Sequence, residues 1–135
     1  MTKIESEKVT VENSSEKIFT FLSNLNNFQK LMPEQVINWK STENNCSFTI
    51  KGMTDISLCL GGLIPYTRIE LIPNDKAPFN FSLESLFEKL NENKCTVQIV
   101  FNAELNAMME MLARKPLQNF VNILADKLKE LGDKL

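Results

Sequence analysis

Residues 106–131 have the sequence NAMMEMLARKPLQNFVNILADKLKEL, and this stretch decides the fold. Its apolar side chains recur at i, i+3, i+4, i+7, i+11 and i+14, which predicts one amphipathic helix with a single apolar stripe. The stripe consists of Leu117, Phe120, Val121, Leu124, Leu128 and Leu131. Gly132 is the expected end of this helix, and Pro116, inside the pattern, is expected to kink the helix or divide it.

Upstream of this helix, from Val36 to Ala103, the apolar periodicity changes to two, which is typical of strands. The predicted strands are Val36–Ser41, Cys46–Ile50, Thr54–Leu60, Pro65–Ile72, Pro78–Leu86 and Cys95–Ala103. The links between them are too short for parallel crossovers, so the sheet is predicted to be antiparallel. Within it, Gly61-Gly62 is expected to form a turn or a bulge that lets the sheet curl.

The beginning of the chain predicts one more strand and two short helices. Lys3–Glu12 alternates and is the first strand. Asn13 or Ser14 can cap the first helix, and Glu16 stands three residues after Asn13, as in a capping box. A second short helix, roughly Leu25–Met32, is expected to stop at Pro33, which disfavours helix at the residue before it.

These elements predict a single α+β domain over residues 1–135, since one domain of this length is usual. Its curved antiparallel sheet of six or seven strands wraps around the long C-terminal helix, with two short helices after the first strand. Only that amphipathic helix can cover a face of the sheet. Because sheets twist, a curled sheet leaves a space against the helix that side chains fill or a ligand occupies.

The composition excludes several classes of function. Fifteen Lys and Arg against seventeen Asp and Glu leave a net charge of −2, so no basic nucleic-acid surface is expected. The chain has no histidine, which excludes Ser-His-Asp and Cys-His catalysis and histidine-containing zinc sites. Three cysteines are too few for a Cys-only zinc site and argue against a disulfide framework, so buried thiols and no metal or other cofactor are expected.

The location expected from the sequence is the cytoplasm. The start of the chain, Met1–Ser14, is charged and alternating, unlike a signal peptide. No apolar run approaches the ~20 residues that a membrane span needs, so no integral membrane association is expected. The sequence carries no signal for an oligomeric state.

Three stretches resemble the helix-grip superfamily, which includes START-like, polyketide-cyclase-like and birch-pollen-allergen-like proteins and is often called SRPBCC. They are VTVENSSEKIF at residues 9–19, LNNFQKLMP at residues 25–33, and the closing amphipathic helix through Leu131. The resemblance covers nearly the whole chain. It implies a cavity between sheet and helix for small apolar molecules or lipids, and it carries over no universal catalytic residue.

A set of apolar side chains forms the candidate ligand-binding site. Its members are Trp39, Phe48, Phe81, Phe101, Met108, Met111, Leu112, Phe120 and Leu124. Pockets for small molecules are mostly apolar, but buried residues of these types also simply fill a core. Met108, Met109 and Met111 form a cluster near the expected cavity mouth, where they are either a flexible gate or ordinary core filling, the second being favoured.

Charged strand residues and other titratable groups are the remaining candidates. Arg68 could bind an anionic headgroup if it points inward, but the apolar Ile69 and Leu71 favour an outward Arg68–Glu70 pair. The face with Asp55, Ser57 and Cys59 is expected to point outward for the same reason. The candidate acid–base groups are Asp55, Glu70, Glu84, Tyr66 and the cysteines.

The favoured function is therefore binding of a small hydrophobic or amphipathic molecule that is lipid-, polyketide- or quinone-like. The driving force is desolvation of apolar surface. Two alternatives stay open: a cyclase- or aromatase-like enzyme that uses the same cavity, and a packed protein-interaction module without a ligand.

Overall fold

The structure is a computed structural model that describes residues 2–52, 55–74 and 79–135. The strands are β1 (Thr2–Glu5), β2 (Val9–Val11), β3 (Val36–Ser41), β4 (Asn45–Ile50), β5 (Asp55–Ile64), β6 (Arg68–Pro73), β7 (Phe81–Asn91) and β8 (Lys94–Ala103). The helices are α1 (Ser15–Leu22), a 3₁₀ helix (Leu25–Leu31) and α2 (Ala107–Gly132). Thr54 and Pro78, the predicted first residues of two strands, lie outside the described residues.

The strands form one antiparallel sheet in the order β1-β8-β7-β6-β5-β4-β3, and β2 also pairs with β8. The helix α2 packs against β1, β2, β8 and the 3₁₀ helix, while α1 packs against β6, β7 and β8. Both helices therefore lie on the same, inner side of the sheet as the core. This arrangement confirms the predicted α+β architecture of a curved sheet wrapped around a long C-terminal helix.

Among the described residues the sheet has eight strands, one more than predicted, because the predicted first strand, Lys3–Glu12, divides in two. Ile4 of β1 is opposite Phe101 of β8, and Val11 of β2 is opposite Cys95 of β8. Between the two pairings the first segment has one residue more than β8, which makes a bulge. The buried Ser6 fills the break, where its N–H donates to the Ile99 carbonyl at 2.8 Å and its Oγ accepts from the Ile99 N–H at 2.9 Å.

One cap and one spacing determine the short helices. Ser14 caps α1, since its Oγ accepts from the Lys17 N–H at 3.1 Å. The second short helix is a 3₁₀ helix, because its buried residues Leu25, Phe28 and Leu31 recur every three residues and so share one face at three residues per turn.

The long helix α2 runs without a break past Pro116, so the predicted division does not occur. It begins at Asn106, whose Oδ1 accepts from the Met109 N–H at 2.9 Å. The predicted stripe packs into the core. Leu117, Phe120, Val121, Leu124 and Leu128 are buried, and Leu131 is partly buried against the same core. The stripe prediction is therefore confirmed.

The last turn of α2 is fastened to the start of the chain, and we call these contacts the C-terminal latch. The Glu12 N–H donates to Asp133 Oδ1 at 2.7 Å, and Lys129 Nζ donates to the Thr10 carbonyl at 2.8 Å. Asn13 Nδ2 donates to the carbonyls of Gly132 and Leu135 at 3.0 and 2.8 Å. The Glu12 N–H, and then Lys129, lower the pKa of the Asp133 carboxyl below its ordinary value. Asn13 thus holds the end of α2 instead of capping α1.

No helix in the described part of the chain combines the length and the hydropathy that a membrane span requires.

Candidate ligand-binding cavity

A cavity of about 360 Å³ lies between α2 and the segment that runs from the end of the 3₁₀ helix through β3 to the end of β4. Its lining residues are Pro33, Gln35, Ile50, Lys51, Gly52, Lys115, Pro116, Asn119, Phe120 and Ile123. Sites for small molecules usually measure roughly 300–1,000 Å³, so this cavity has the size for a small ligand.

Backbone and side-chain contacts hold the two walls of the cavity. The Val36 N–H donates to the Pro33 carbonyl at 3.0 Å, and the Lys51 N–H donates to the Gln35 carbonyl at 2.9 Å. These bonds join the segment after the 3₁₀ helix to the end of β4. On the other wall, Lys127 Nζ of α2 donates to the carbonyl of Met32 at 3.2 Å. The helix α2 is thereby tied to the end of the 3₁₀ helix beside the cavity.

The cavity has an apolar interior and a polar rim. Phe120 and Ile50 are each only 7% exposed, and Ile123 is half-buried. The exposed residues Gln35, Lys51, Lys115 and Asn119 stand at the opening. The described lining therefore contains two cations and two amides but no carboxylate.

The structure distributes the predicted ligand-binding residues over three environments. Phe120 lines the cavity. Trp39 and Phe48 stack with ring centroids 5.3 Å apart, and Phe81 and Phe101 stack at 5.5 Å. Phe48, Phe101 and Leu124 are buried in the core, against which Trp39 and Phe81 pack while partly buried. For these core residues, contact with a ligand stays a prediction.

Met108, Met111 and Leu112 are exposed by 69%, 76% and 70%. They lie roughly 120–180° around the helix axis from Leu117, at the 3.6 residues per turn of an α-helix. Core filling by Met108 and Met111 is therefore wrong, because this side of α2 faces solvent. A role at the cavity mouth stays a prediction, and helix geometry places Leu112 directly beside Pro116, four residues later.

Sequence reasoning missed most of the cavity lining, including Pro33, Ile50, Lys51, Lys115 and Ile123. These residues come from a turn, a strand end and the border of the α2 stripe, so they share no period. One signal in the sequence was available. Ile123 comes directly before the stripe residue Leu124 and widens the apolar stripe of α2 on one side.

The charged strand residues point away from the core, as predicted, because the alternate residues Ile69 and Leu71 of the same strand are buried on its opposite face. Arg68 Nε donates to Glu84 Oε2 at 2.6 Å, and its Nη2 donates to Glu70 Oε2 at 2.9 Å. The hydrogen bond to Glu84 is the main reason that the pKa of the Arg68 guanidinium is raised. This network is an outer-face ion-pair cluster at a distance from the cavity lining.

The other predicted acid–base groups also lie elsewhere. Asp55 is exposed and accepts from Thr49 Oγ1 at 2.6 Å. Tyr66 is 47% exposed in the β5–β6 turn at a φ of 68°, and it contacts Phe19 edge-on at 5.5 Å. Neither lines the cavity. The Gly61-Gly62 pair forms the predicted bulge, between Leu60 and Leu63 of β5.

The three cysteines are free thiols, and Cys46 and Cys95 are buried while Cys59 is half-buried. Burial raises the pKa of the Cys46 thiol to about 12 and also raises the pKa of Cys95. Among the described residues no group of three acidic or thiol side chains is placed to hold a metal ion.

We expect a disulfide exchange reagent at about pH 8 to modify Cys59 in the folded protein and to leave Cys46 and Cys95 intact, because only the thiolate attacks and burial keeps both thiols protonated. Absorbance of the released thiol measures the number of reactive groups with and without urea. Cys59→Ser is expected to abolish the reaction of the folded protein. Rapid reaction of all three thiols without denaturant would contradict the assigned burial.

Comparisons with known proteins find solved structures of the same fold. No family model matches the chain, and no curated protein matches it. Solved structures do match. The protein XoxI from Bacillus cereus has a TM-score of 0.75 at 11% identity, over 98% of this chain and 96% of that one. A START superfamily protein from Mycobacterium smegmatis has a TM-score of 0.68 at 13% identity, over 98% and 97% of the two chains.

A third similar structure is the di-domain ARO/CYC protein BexL from the BE-7585A biosynthetic pathway. It has a TM-score of 0.67 at 13% identity, over 95% of this chain and 46% of the BexL chain. At these identities the likeness shows the fold alone. It agrees with the resemblance carried by residues 9–19, residues 25–33 and the closing helix.

Proposed function

We propose that this chain, which has the helix-grip fold of START-like and polyketide-cyclase-like proteins, binds a small apolar or amphipathic molecule in the cavity between α2 and the end of β4. The observation that carries the proposal is the apolar interior of the cavity, formed by Pro33, Ile50, Phe120 and Ile123. Transfer of the ligand's apolar surface from water supplies about 25 cal/mol per Å². The amides of Gln35 and Asn119 at the opening supply hydrogen bonds that orient it.

Binding without catalysis is favoured over a cyclase- or aromatase-like reaction. The START-like and ARO/CYC names of similar structures support the handling of small molecules on this fold. General acid–base catalysis needs a titratable group within hydrogen-bond reach of the substrate. The predicted candidates Asp55, Glu70, Glu84 and Tyr66 all stand outside the cavity lining, so the proposal assigns no reaction.

A protein-interaction module is the second candidate function, and the exposed face with Met108, Met111 and Leu112 favours it. Exposed apolar surface of this kind is typical of contact sites. The two candidates differ in what the cavity does, because an interaction module needs no occupant there. The location in the cytoplasm stays a prediction from the sequence.

A blocking substitution tests the proposed site. The neutral fluorophore N-phenyl-1-naphthylamine is expected to bind the wild-type protein, and Asn119→Trp is expected to weaken binding by about tenfold or more, or ~1.4 kcal/mol. The reason is that the indole would occupy the opening beside Phe120 and Ile123. Because Asn119 is exposed, the fold should tolerate the change. Fluorescence titration measures the affinity, and circular dichroism checks the fold.

The matched control is Glu130→Trp, on the same helix about 16 Å further along its axis. Glu130 is exposed and does not line the cavity. If Asn119→Trp and Glu130→Trp bind the fluorophore with equal affinity, the binding site is elsewhere. If the wild-type protein binds neither this fluorophore nor its sulfonated analogue 1-anilinonaphthalene-8-sulfonate, the interaction module becomes the favoured function.

A further inference from the structure

We infer that the ligand of this cavity is a negatively charged amphiphile, whose carboxylate, sulfonate or phosphate group lies at the opening between Lys51 and Lys115. This inference rests on the proposed function and names the class of molecule that the same cavity takes.

The first observation is that two cations converge on one opening from opposite walls. Lys51 ends the β4 wall, where its N–H is fixed by the Gln35 carbonyl at 2.9 Å. Lys115 belongs to the α2 wall, and both lysines line the cavity. Both side chains are exposed, so the ammonium groups can reach a ligand at the rim and remain hydrated without one.

The second observation concerns the ion-pair partners of these two cations. Among the described residues neither Lys51 nor Lys115 has an ion pair, whereas two other basic residues of α2 do. Arg114 pairs with Glu110 at 2.8 Å, and Lys129 pairs with Asp133 at 3.1 Å. The acid next to the lining in the chain is Glu34, which is exposed and does not line the cavity.

The third observation is the charge contrast with the rest of the protein. The chain has a net charge of −2, so a local pair of cations without an acid is not the result of a basic surface overall. An opening with charges of one sign above a low-dielectric wall concentrates counter-ions there. The apolar wall of Phe120 and Ile123 below the two cations then fits a molecule with one anionic end and one apolar end.

A pair of fluorophores that differ by one sulfonate tests the inference. These are 1-anilinonaphthalene-8-sulfonate, which is anionic, and N-phenyl-1-naphthylamine, which is its neutral analogue. The wild-type protein is expected to bind the anionic fluorophore about threefold to tenfold more tightly, since an exposed charge pair contributes up to about fivefold in affinity. The preference should fall as salt shortens the screening length from about 30 Å at 0.01 M to about 3 Å at 1 M.

The double variant Lys51→Gln/Lys115→Gln is expected to remove this preference, so that the anionic and the neutral fluorophore bind with similar affinity. The control is Lys3→Gln/Lys89→Gln, which loses the same charge from two exposed residues outside the cavity lining. Asn119→Trp should weaken binding of both fluorophores, which shows that they occupy this cavity. All four lysines are exposed, so thermal melts should match the wild type.

The possible outcomes separate the two proposals. Equal wild-type affinities for the two fluorophores, or an equal loss in both double variants, would overturn the anionic ligand and leave the proposed binding function intact. If neither fluorophore binds, both proposals are overturned. A preference lost only in Lys51→Gln/Lys115→Gln supports the anionic amphiphile.

Discussion

Gly132→Ala is expected to lower the free energy of unfolding by about 1–3 kcal/mol, the usual cost of inserting a methyl group into a packed core. The new Cβ would lie 2.5 Å from Cγ1 of Val11 and 3.1 Å from Cδ1 of Ile18. Gly132 is the last residue of α2 and is buried. Its glycine is therefore required by close approach of the helix to β2 and α1, and not by a left-handed backbone, since its φ is not positive.

The sign of this effect is informative, because helix propensity alone predicts the opposite. Alanine inside a helix is about 1 kcal/mol more favourable than glycine. Urea unfolding monitored by circular dichroism measures the difference. If Gly132→Ala is as stable as the wild type, the close approach to Val11 is wrong.

Two further variants isolate the cause. Gly52→Ala is the control, since Gly52 has a φ of 80° and no atom of the described residues within 4 Å of the added Cβ. Its cost of about 1–2 kcal/mol comes from the left-handed backbone alone. Shortening the neighbour with Val11→Ala is expected to reduce the cost of Gly132→Ala and to leave the cost of Gly52→Ala unchanged. Such a double-mutant difference reports a direct contact.

Leu124→Ala is expected to destabilise the protein by about 2–5 kcal/mol, the range for removal of a fully buried leucine. Leu124 has no exposed surface and lies in the stripe of α2 that fills the core. A cavity would remain after truncation because the sheet and the helix hold the surrounding side chains in place. Urea unfolding and the shift of the thermal midpoint measure this loss.

The matched control is Leu112→Ala on the same helix, where the side chain is 70% exposed. It is expected to change stability by no more than about 0.5 kcal/mol. Similar losses for both leucines would mean that the stripe of α2 is assigned to the wrong face. The more drastic Leu124→Arg would place a cation in the core, so it tests folding and not ligand binding.

The stripe of α2 could be predicted residue by residue because burial on one side of a helix imposes a period on the sequence. The strands were predictable for the same reason, with a period of two. The division of the first strand could not be predicted. Ser6 interrupts the pairing with β8 through a hydrogen bond to Ile99, and no periodicity in the sequence indicates such a bond. Periodicity reports which side of an element is apolar and carries no information on local breaks.

The cavity was harder to predict because it forms where different elements meet. Lys51 and Lys115 are far apart in the chain and come together only when α2 lies against the end of β4. For Met108 and Met111 the prediction was wrong in the opposite direction, since contact with the core was expected from their apolar side chains and both are exposed. Whether an apolar helix face is covered depends on the neighbouring elements, and no described element covers this one.

The C-terminal latch joins groups that are 119 to 122 residues apart in sequence. Bringing such distant groups together costs loop-closure entropy before any contact compensates, and topologies of this kind fold slowly. Because α2 follows every described strand in the chain, a ribosome delivers it after them. Until α2 is synthesised, the part of the inner face of the sheet that it covers is exposed to water. During that interval the protein is most prone to aggregation.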